Sequence, residues 1–391
     1  MPDGNNGLYE EKLKRYTTAM DVGKPDKVPI RLNPSEFVAK YAGLTHQEIY
    51  YEQDKNMGSV NKFLDDFDID ALLAPPSLWW ATMHDAVGAV YYRFSGRQLE
   101  ENRQFQYVEG EYMKADDYDE FIADPTKWVL NHFLPRIHEE FAEPGSYRAN
   151  IALIKGAIGF MMQNGAMHQA GVQWAEKYGL VTGISGIGKA PFDTLGDTLR
   201  GLTGVMKDLR KQPDKVKTAM EVLIPHNAFF AMATAAGDTV MPAFFPLHRG
   251  SYPFLNPQQW DNFYWPSLKA VIEDLWKAGK RVLFYAEGNW TPYLEKIAEL
   301  PDRSIVFHVD TTDMDKAYEV LRGRFCLSGN VPNTMMSYGK PEEVSEYCKQ
   351  LIDKYARDGG FIMDTGGVMQ MDVKAENLAA LVETTRNYGV Y

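Results

Sequence analysis

The stretch RVLFYAEGNWTPYLEKIAELPDRSIVFHVDTTDMDKAYEVLRGRFCLSGN, residues 281–330, decides the fold. Arg281 to Ala286 is a short apolar run that reads as a strand, Pro292 to Glu299 as a helix, Ile305 to Val309 as a strand, Asp313 to Leu321 as a helix and Phe325 to Ser328 as a strand. Strands of about five apolar residues alternating with helices of about ten mark βα units and a parallel sheet. The pattern extends both ways. Upstream come a strand at Val240 to Phe245 and a helix at Pro257 to Ala278; downstream come a helix at Pro341 to Asp358, a strand at Phe361 to Met363 and a closing helix at Lys374 to Tyr388. So many units in about 150 residues favour a closed barrel over an open sheet.

The N-terminal half is less regular. Tyr9 to Ala19 reads as an amphipathic helix, Val28 to Leu32 as a strand, Thr45 to Phe67 as a helix capped by Thr45 with Glu48 three residues on, and Ile69 to Leu73 as a strand. Pro75 to Asp116 is rich in aromatics and glycine and reads as loops and hairpins; Asp117 to Phe141 reads as a helix. No linker or short repeat divides the chain. The expectation is one α/β domain over residues 1–391, a single (β/α)₈ TIM-type barrel with an N-terminal extension and loop insertions.

Bulk composition is that of a globular protein, 45% hydrophobic and 24% charged. The net charge of −12 argues against nucleic acid or an anionic membrane as partner. Two cysteines, Cys326 and Cys348, make no disulfide framework. The opening MPDGNNGLYEEKLKRY lacks the apolar core of a signal peptide, and no apolar run is long enough to span a bilayer, so a cytoplasmic location is expected. Gly183 to Lys189 matches G-x-x-x-x-G-K, but Ala190 stands where a phosphate loop needs Ser or Thr to hold magnesium, so nucleotide binding is not expected.

In such barrels the chemistry sits on the loops after the strands. Those loops carry His248 and Arg249, Glu287-Gly288-Asn289, His308-Val309-Asp310, Gly329-Asn330-Val331-Pro332 and Asp364-Thr365-Gly366-Gly367. Leu327 to Pro332, Ala286 to Asn289, and Lys14 to Pro29 resemble, in that combination, motifs of the uroporphyrinogen decarboxylase superfamily; Tyr107 to Asp119 looks like its corrinoid-using branch. The true decarboxylases follow the first strand with an arginine-rich RQAGRY segment. Here the place reads Arg31-Leu32-Asn33-Pro34-Ser35-Glu36-Phe37, and one arginine is poor equipment for a multiply anionic tetrapyrrole. The thiol-methylating methyltransferases hold zinc with an H-x-C pair and a later Cys; here those places read Tyr285-Ala286-Glu287 and Gly366.

The resemblance therefore implies the methyltransferase component of an aromatic O-demethylase. Glu287 and His308 end successive strands and Cys326 lies on the next, so these three are the expected zinc ligands, with Asp364 and Asp310 competing for the third place. Glu287, His308 and Asp364 are the expected catalytic residues. Tyr285, His248, Arg249, Trp290 and Asn330 are expected to bind the substrate, a small methoxylated aromatic. No D-x-H-x-x-G cobalamin signature occurs, so the corrinoid is expected on a separate corrinoid-binding protein. Barrels of this superfamily often dimerise, which makes a homodimer an expectation as well. The competing readings are a metal-free decarboxylase of a small carboxylic acid using Asp364 or Asp310 as acid, a methylcobamide:thiol methyltransferase, and a barrel that has lost its site.

Overall fold

Short apolar runs followed by helices form the expected barrel. The computed structural model describes residues 6–75, 77–235 and 240–391. Its strands are β1 (Arg31–Leu32), β2 (Ala71–Leu72), β3 in two pieces (Val181–Thr182 and Gly186–Ile187), β4 (Ala243–Leu247), β5 (Val282–Ala286), β6 (Ile305–Val309), β7 (Cys326–Gly329) and β8 (Phe361–Ile362). All pair in parallel in chain order, and a parallel bridge from Ile30 to Met363 joins β8 back to β1.

Closure rests on the broken strand β3. Its first half bonds to β2, with Val181 N–H donating to Asp70 O at 2.9 Å and Gly183 N–H to Leu72 O at 2.8 Å. Its second half bonds toward β4, with Ser185 N–H on Pro242 O at 2.9 Å and Gly188 N–H on Phe244 O at 2.8 Å. A Cβ on Gly186 would stand 2.4 Å from the backbone nitrogen of Ala235, so only glycine fits. The glycines of the phosphate-loop look-alike thus serve barrel closure.

Helix α1 (Asn6–Met20) precedes β1, and one main helix follows each strand: α2 (Gln53–Asp66), α3 (Tyr147–Tyr178), α4 (Pro213–Thr234), α5 (Trp265–Lys277), α6 (Leu294–Ile297), α7 (Met314–Leu321), α8 (Pro341–Leu351) and α9 (Ala375–Tyr388). The capping box at Thr45 forms, with Glu48 N–H on the Thr45 hydroxyl at 3.2 Å and Thr45 N–H on the Glu48 carboxylate at 2.9 Å. The helix expected to run on to Phe67 breaks at Glu52, which is extended. The helix expected over Asp117 to Phe141 is a chain of short pieces, two of which, Pro125–Trp128 and Leu134–Ile137, carry proline in their first turn. Between β2 and α3 lies the expected aromatic insertion, which includes a hairpin pairing Tyr92–Arg93 with Gln106–Tyr107. Among the described residues no helix is long and apolar enough to cross a membrane.

Side chains alternate across the strands. Val282, Phe284, Ala286, Ile305, Phe307 and Val309 face the helices, while Leu283, Tyr285, Val306 and Cys326 belong to the inner cluster. Register stacks the inner residues in layers. Leu283, Val306 and Cys326 form one level; Tyr285, His308 and Ser328 form the next toward the open end. Tyr16, Ala19 and Met20 of α1 pack into the same inner cluster.

Candidate active site

The second inner layer is polar and buried. Arg31 of β1 reaches across the barrel, its Nε donating to Asp364 Oδ2 at 2.8 Å and its Nη2 to Ser328 Oγ at 2.8 Å and His308 Nδ1 at 3.0 Å. Because a guanidinium can only donate, Nδ1 of His308 is the acceptor, and the remaining ring proton sits on Nε2, which donates to Gly366 O at 3.2 Å. Burial and the Arg31 charge push His308 well below the usual imidazole range, so it is neutral. Tyr285 stacks flat on it, with ring centroids 4.0 Å apart and planes 2° apart. Asp364 is pushed up to about 6, since burial outweighs the neighbouring Arg31.

A second cluster stands one level higher, on the loops beyond the strand ends. Lys189, Asp193 and Asp197 follow β3, His248 and Arg249 follow β4, Glu287 follows β5 and Asp310 follows β6. His248 bridges two carboxylates: Nδ1 lies 3.2 Å from Asp197 and Nε2 3.3 Å from Glu287. Lys189 is 2.9 Å from Asp197, which Arg249 also grips through Nε. Asp193 accepts the backbone N–H groups of His248 and Arg249 at 3.2 and 2.6 Å and the Tyr264 hydroxyl at 2.6 Å. Burial works against a charged His248, but its bonds to Asp197 and Glu287 prevail and push it up to about 10. Burial likewise disfavours charge on Asp197, yet His248 and Lys189 hold it well below the carboxylate range. Asp193 is raised by burial and by the Asp197 charge. Burial, with Glu287 beside it, raises Asp310, against the pull of the Gly288 N–H.

This outer cluster is the reachable one. The side chains of His248 and Glu287 are 37% and 36% exposed, against 0% for His308 and Asp364. Exposed Tyr107 and Phe254 stand beside it: Tyr107 donates to Asp197 O at 2.8 Å, and Arg249 lies over the Phe254 ring at 5.8 Å.

Several expectations are corrected by this geometry. Glu287, His308 and Cys326 do not converge: His308 lies a layer below Glu287 with both nitrogens engaged, and Cys326 lies a layer lower still, its thiol pushed up to about 12 by burial. Among the described residues, the trio able to hold a metal ion is Asp193, Asp197 and His248, whose ligand atoms lie within 4.8 Å of one another. Trp290 is buried outside the barrel among Trp260, Tyr264 and Phe284, and its indole N–H holds the Glu287 carbonyl at 2.9 Å. Asn330 is turned to α8, its carboxamide oxygen accepting from Tyr347 at 3.0 Å. Tyr285 is enclosed in the inner layer. His248, Arg249 and Glu287 do stand together at the open end. Lys189, Asp193 and Asp197 were missed; their signal was two aspartates four apart on one helical face just beyond a strand.

Comparison with known proteins agrees with this architecture. The uroporphyrinogen decarboxylase (URO-D) family model matches residues 171–388. The uroporphyrinogen decarboxylase of Coxiella burnetii (strain RSA 493 / Nine Mile phase I) is 26% identical over 188 residues, 46% of this chain and 50% of that protein. That of Idiomarina loihiensis is 23% identical over 199 residues, 49% of this chain and 53% of that protein. The chain thus spans about half the length of the curated relatives it matches. Among solved structures, a methyltransferase from Methanosarcina mazei superposes with a TM-score of 0.64 at 18% identity, covering 96% of this chain and 98% of that one, a likeness of fold. With the family model matching more than half of its 391 residues, the chain belongs to the uroporphyrinogen decarboxylase family.

Proposed function

We propose that this chain is a corrinoid-protein-dependent methyltransferase that takes the methyl group of a methoxylated aromatic and delivers it to cob(I)alamin on a separate corrinoid protein. The observation that carries the reading is His248, held at the barrel mouth between Asp197 and Glu287, with Asp193 in metal-ligand reach. The exposed rings of Tyr107 and Phe254 beside it favour an aromatic substrate. Arg31, the arginine nearest in sequence to a porphyrinogen cradle, is buried and paired with Asp364, which argues against a polyanionic tetrapyrrole.

An imidazole and two carboxylates suit zinc in kind and spacing. The charge that zinc would neutralise is balanced in this structure by Lys189, Arg249 and a proton on His248, so binding would displace that proton. Asp193, Asp197 and His248 would hold the ion, in place of the Glu287, His308 and Cys326 set. When bound, zinc would polarise the ether oxygen and ease departure of the phenolate. Asp193 is anchored by the backbone of His248 and Arg249, which ties the loops after β3 and β4 into one rigid unit. Glu287 orients His248 from the far side, and the Arg249 guanidinium, partly exposed beside Glu109, is the group suited to a substrate carboxylate.

A second reading is decarboxylation of a small acid, favoured by the decarboxylase relatives and by His248, which in its protonated form could serve as general acid. The deciding experiment purifies the chain without chelators, measures bound metal, and follows loss of cob(I)alamin absorbance on a corrinoid protein with a panel of methoxybenzoates and methoxyphenols. The expected result is about one zinc per chain, lost in His248→Gln, and methylation that needs both protein and zinc. Metal-free protein that releases CO₂ from a carboxylic acid and leaves the corrinoid unmethylated would establish the second reading instead.

A further inference from the structure

The break in strand β3 leaves a crevice in the barrel wall. Between helices α3 and α4 a cavity of about 650 Å³ runs down to it, a size that suits a small organic molecule. Its floor draws on both sides of the wall. Leu72, Leu180 and Trp174 belong to the core between strands and helices, whereas Leu73 belongs to the inner cluster and Ile184 packs against that cluster. A continuous strand would separate these two sets. Here the pairing passes from β2 at Thr182 to β4 at Gly186, and the residues between leave the gap. The floor is buried, while the polar Asn164, His168 and Glu176 stand exposed at the rim.

One polar atom in the crevice is left over. Ser185 Oγ is sealed from bulk solvent and has no hydrogen-bond partner among the described residues. Its surroundings are fixed: Ser185 N–H donates to Pro242 O at 2.9 Å, Ile187 N–H to Thr234 Oγ1 at 3.0 Å, and the Thr234 hydroxyl to Ile187 O at 2.8 Å. A preformed apolar hollow with an idle buried hydroxyl is the make-up of a ligand site.

We propose that this crevice binds an uncharged aromatic molecule, its ring on the apolar floor and an oxygen-bearing substituent on Ser185 Oγ. Charge is disfavoured by the lining itself. Among the described lining residues no lysine or arginine could hold an anion, and the carboxylate of Glu176 lies out at the rim. Trp174 in the floor, with Phe160 and Phe230 from the two helices, supplies the aromatic surface that suits a flat ring. The occupant is small, because Leu73 lies behind the strands, beyond the reach of a protein surface laid over the helices. None of Asp193, Asp197, His248 and Glu287 lines the crevice, so this site is separate from the mouth, and the inference does not rest on the reaction proposed above.

The test is equilibrium binding of 2-naphthol to the full chain, followed by the probe's fluorescence, with 2-naphthoate as the charged counterpart. Saturable binding of one 2-naphthol per chain is expected, with 2-naphthoate at least 10-fold weaker. Ser185→Ala should weaken 2-naphthol roughly 2- to 10-fold, the worth of one hydrogen bond, without lowering the melting temperature, since the hydroxyl has no partner to lose. Gly171→Leu fills the crevice from α3; a Cβ there meets only Thr182 Oγ1, at 3.4 Å, so the fold should hold and binding should fall at least 10-fold. His248→Gln should leave 2-naphthol binding unchanged. No saturable binding to wild type would overturn the inference, as would 2-naphthoate bound as tightly as 2-naphthol, or binding that survives Gly171→Leu in a variant with unchanged circular dichroism. Loss in His248→Gln with retention in Gly171→Leu would place the probe at the mouth, overturning the crevice site while leaving the reaction proposed for the mouth untouched.

Discussion

Replacing Arg31 with methionine tests the division of the barrel into a structural inner layer and a reactive outer one. The substitution keeps an unbranched apolar stem and removes the partner of Asp364 and the donors to His308 and Ser328, all with buried side chains. Breaking a buried ion pair by deleting one partner costs about 3–5 kcal/mol. With an unfolding entropy of about 2.1 cal/mol/K per residue, a chain of 391 residues has about 0.8 kcal/mol/K at its midpoint, so the melting temperature should fall by about 4–6 °C. The loss should depend on pH. Asp364 already titrates at about 6, above its unfolded value, so the folded state binds the extra proton and stability falls as pH rises toward that value. Without Arg31 its pKa climbs further, and the deficit against wild type should be largest near pH 8 and smallest near pH 5. Pairing the change with Asp364→Leu should recover most of the loss. Differential scanning calorimetry of wild type and the two variants measures this. A melting temperature unchanged within about 1 °C, together with lost substrate affinity, would mean that Arg31 is free to bind substrate and that the inner layer has been misread.

Two further outcomes follow from the same geometry. Cys326→Ala should leave bound metal and activity as in wild type while costing about 1 kcal/mol of stability, because its sulfur fills space in the lower layer; loss of metal in this variant would restore the ligand set expected from sequence. In the aromatic insertion, burial holds His84 and His138 down at about 4, so each unfolded imidazole takes a proton near 6.5 that the folded one refuses until lower pH. Stability should therefore fall as pH drops from about 6.5 to 4, by up to about 3 kcal/mol per histidine, with hydrogen exchange rising first in the insertion; exchange there that is indifferent to pH over this range would contradict it.

The barrel was legible because its second half repeats one unit with clean apolar strands. Ile305–Val309 forms as read, and Asp313 caps α7 by accepting the Lys316 N–H at 3.1 Å. Strand β3 was illegible because the pairing that closes the barrel is split over Val181–Thr182 and Gly186–Ile187, with glycines where a strand would show apolar residues. Missing that strand hid Lys189, Asp193 and Asp197, whose importance follows only from standing beyond its end. Trp290 was misplaced for a different reason: a tryptophan after a strand is equally suited to a mouth or to the layer between strands and helices, and only the neighbours Trp260 and Tyr264 decide.

The pairing of Glu287 with His308 failed on depth, and the reason is instructive about the chemistry. Both lie on the inward parity of their strands, but Glu287 follows the last residue of β5, whereas His308 is inside β6, level with Tyr285. Two residues along the strand, about 6.6 Å, separate a side chain that meets solvent from one sealed beneath it. Sealed beside a guanidinium, His308 loses its charge, and its two nitrogens are spent on Arg31 and Gly366. Raised to the mouth and set between Asp197 and Glu287, His248 keeps a proton that solvent can take and a metal can replace. Of these two histidines at the strand ends, only His248 stands where exchange with solvent, and hence acid or metal chemistry, is open to it.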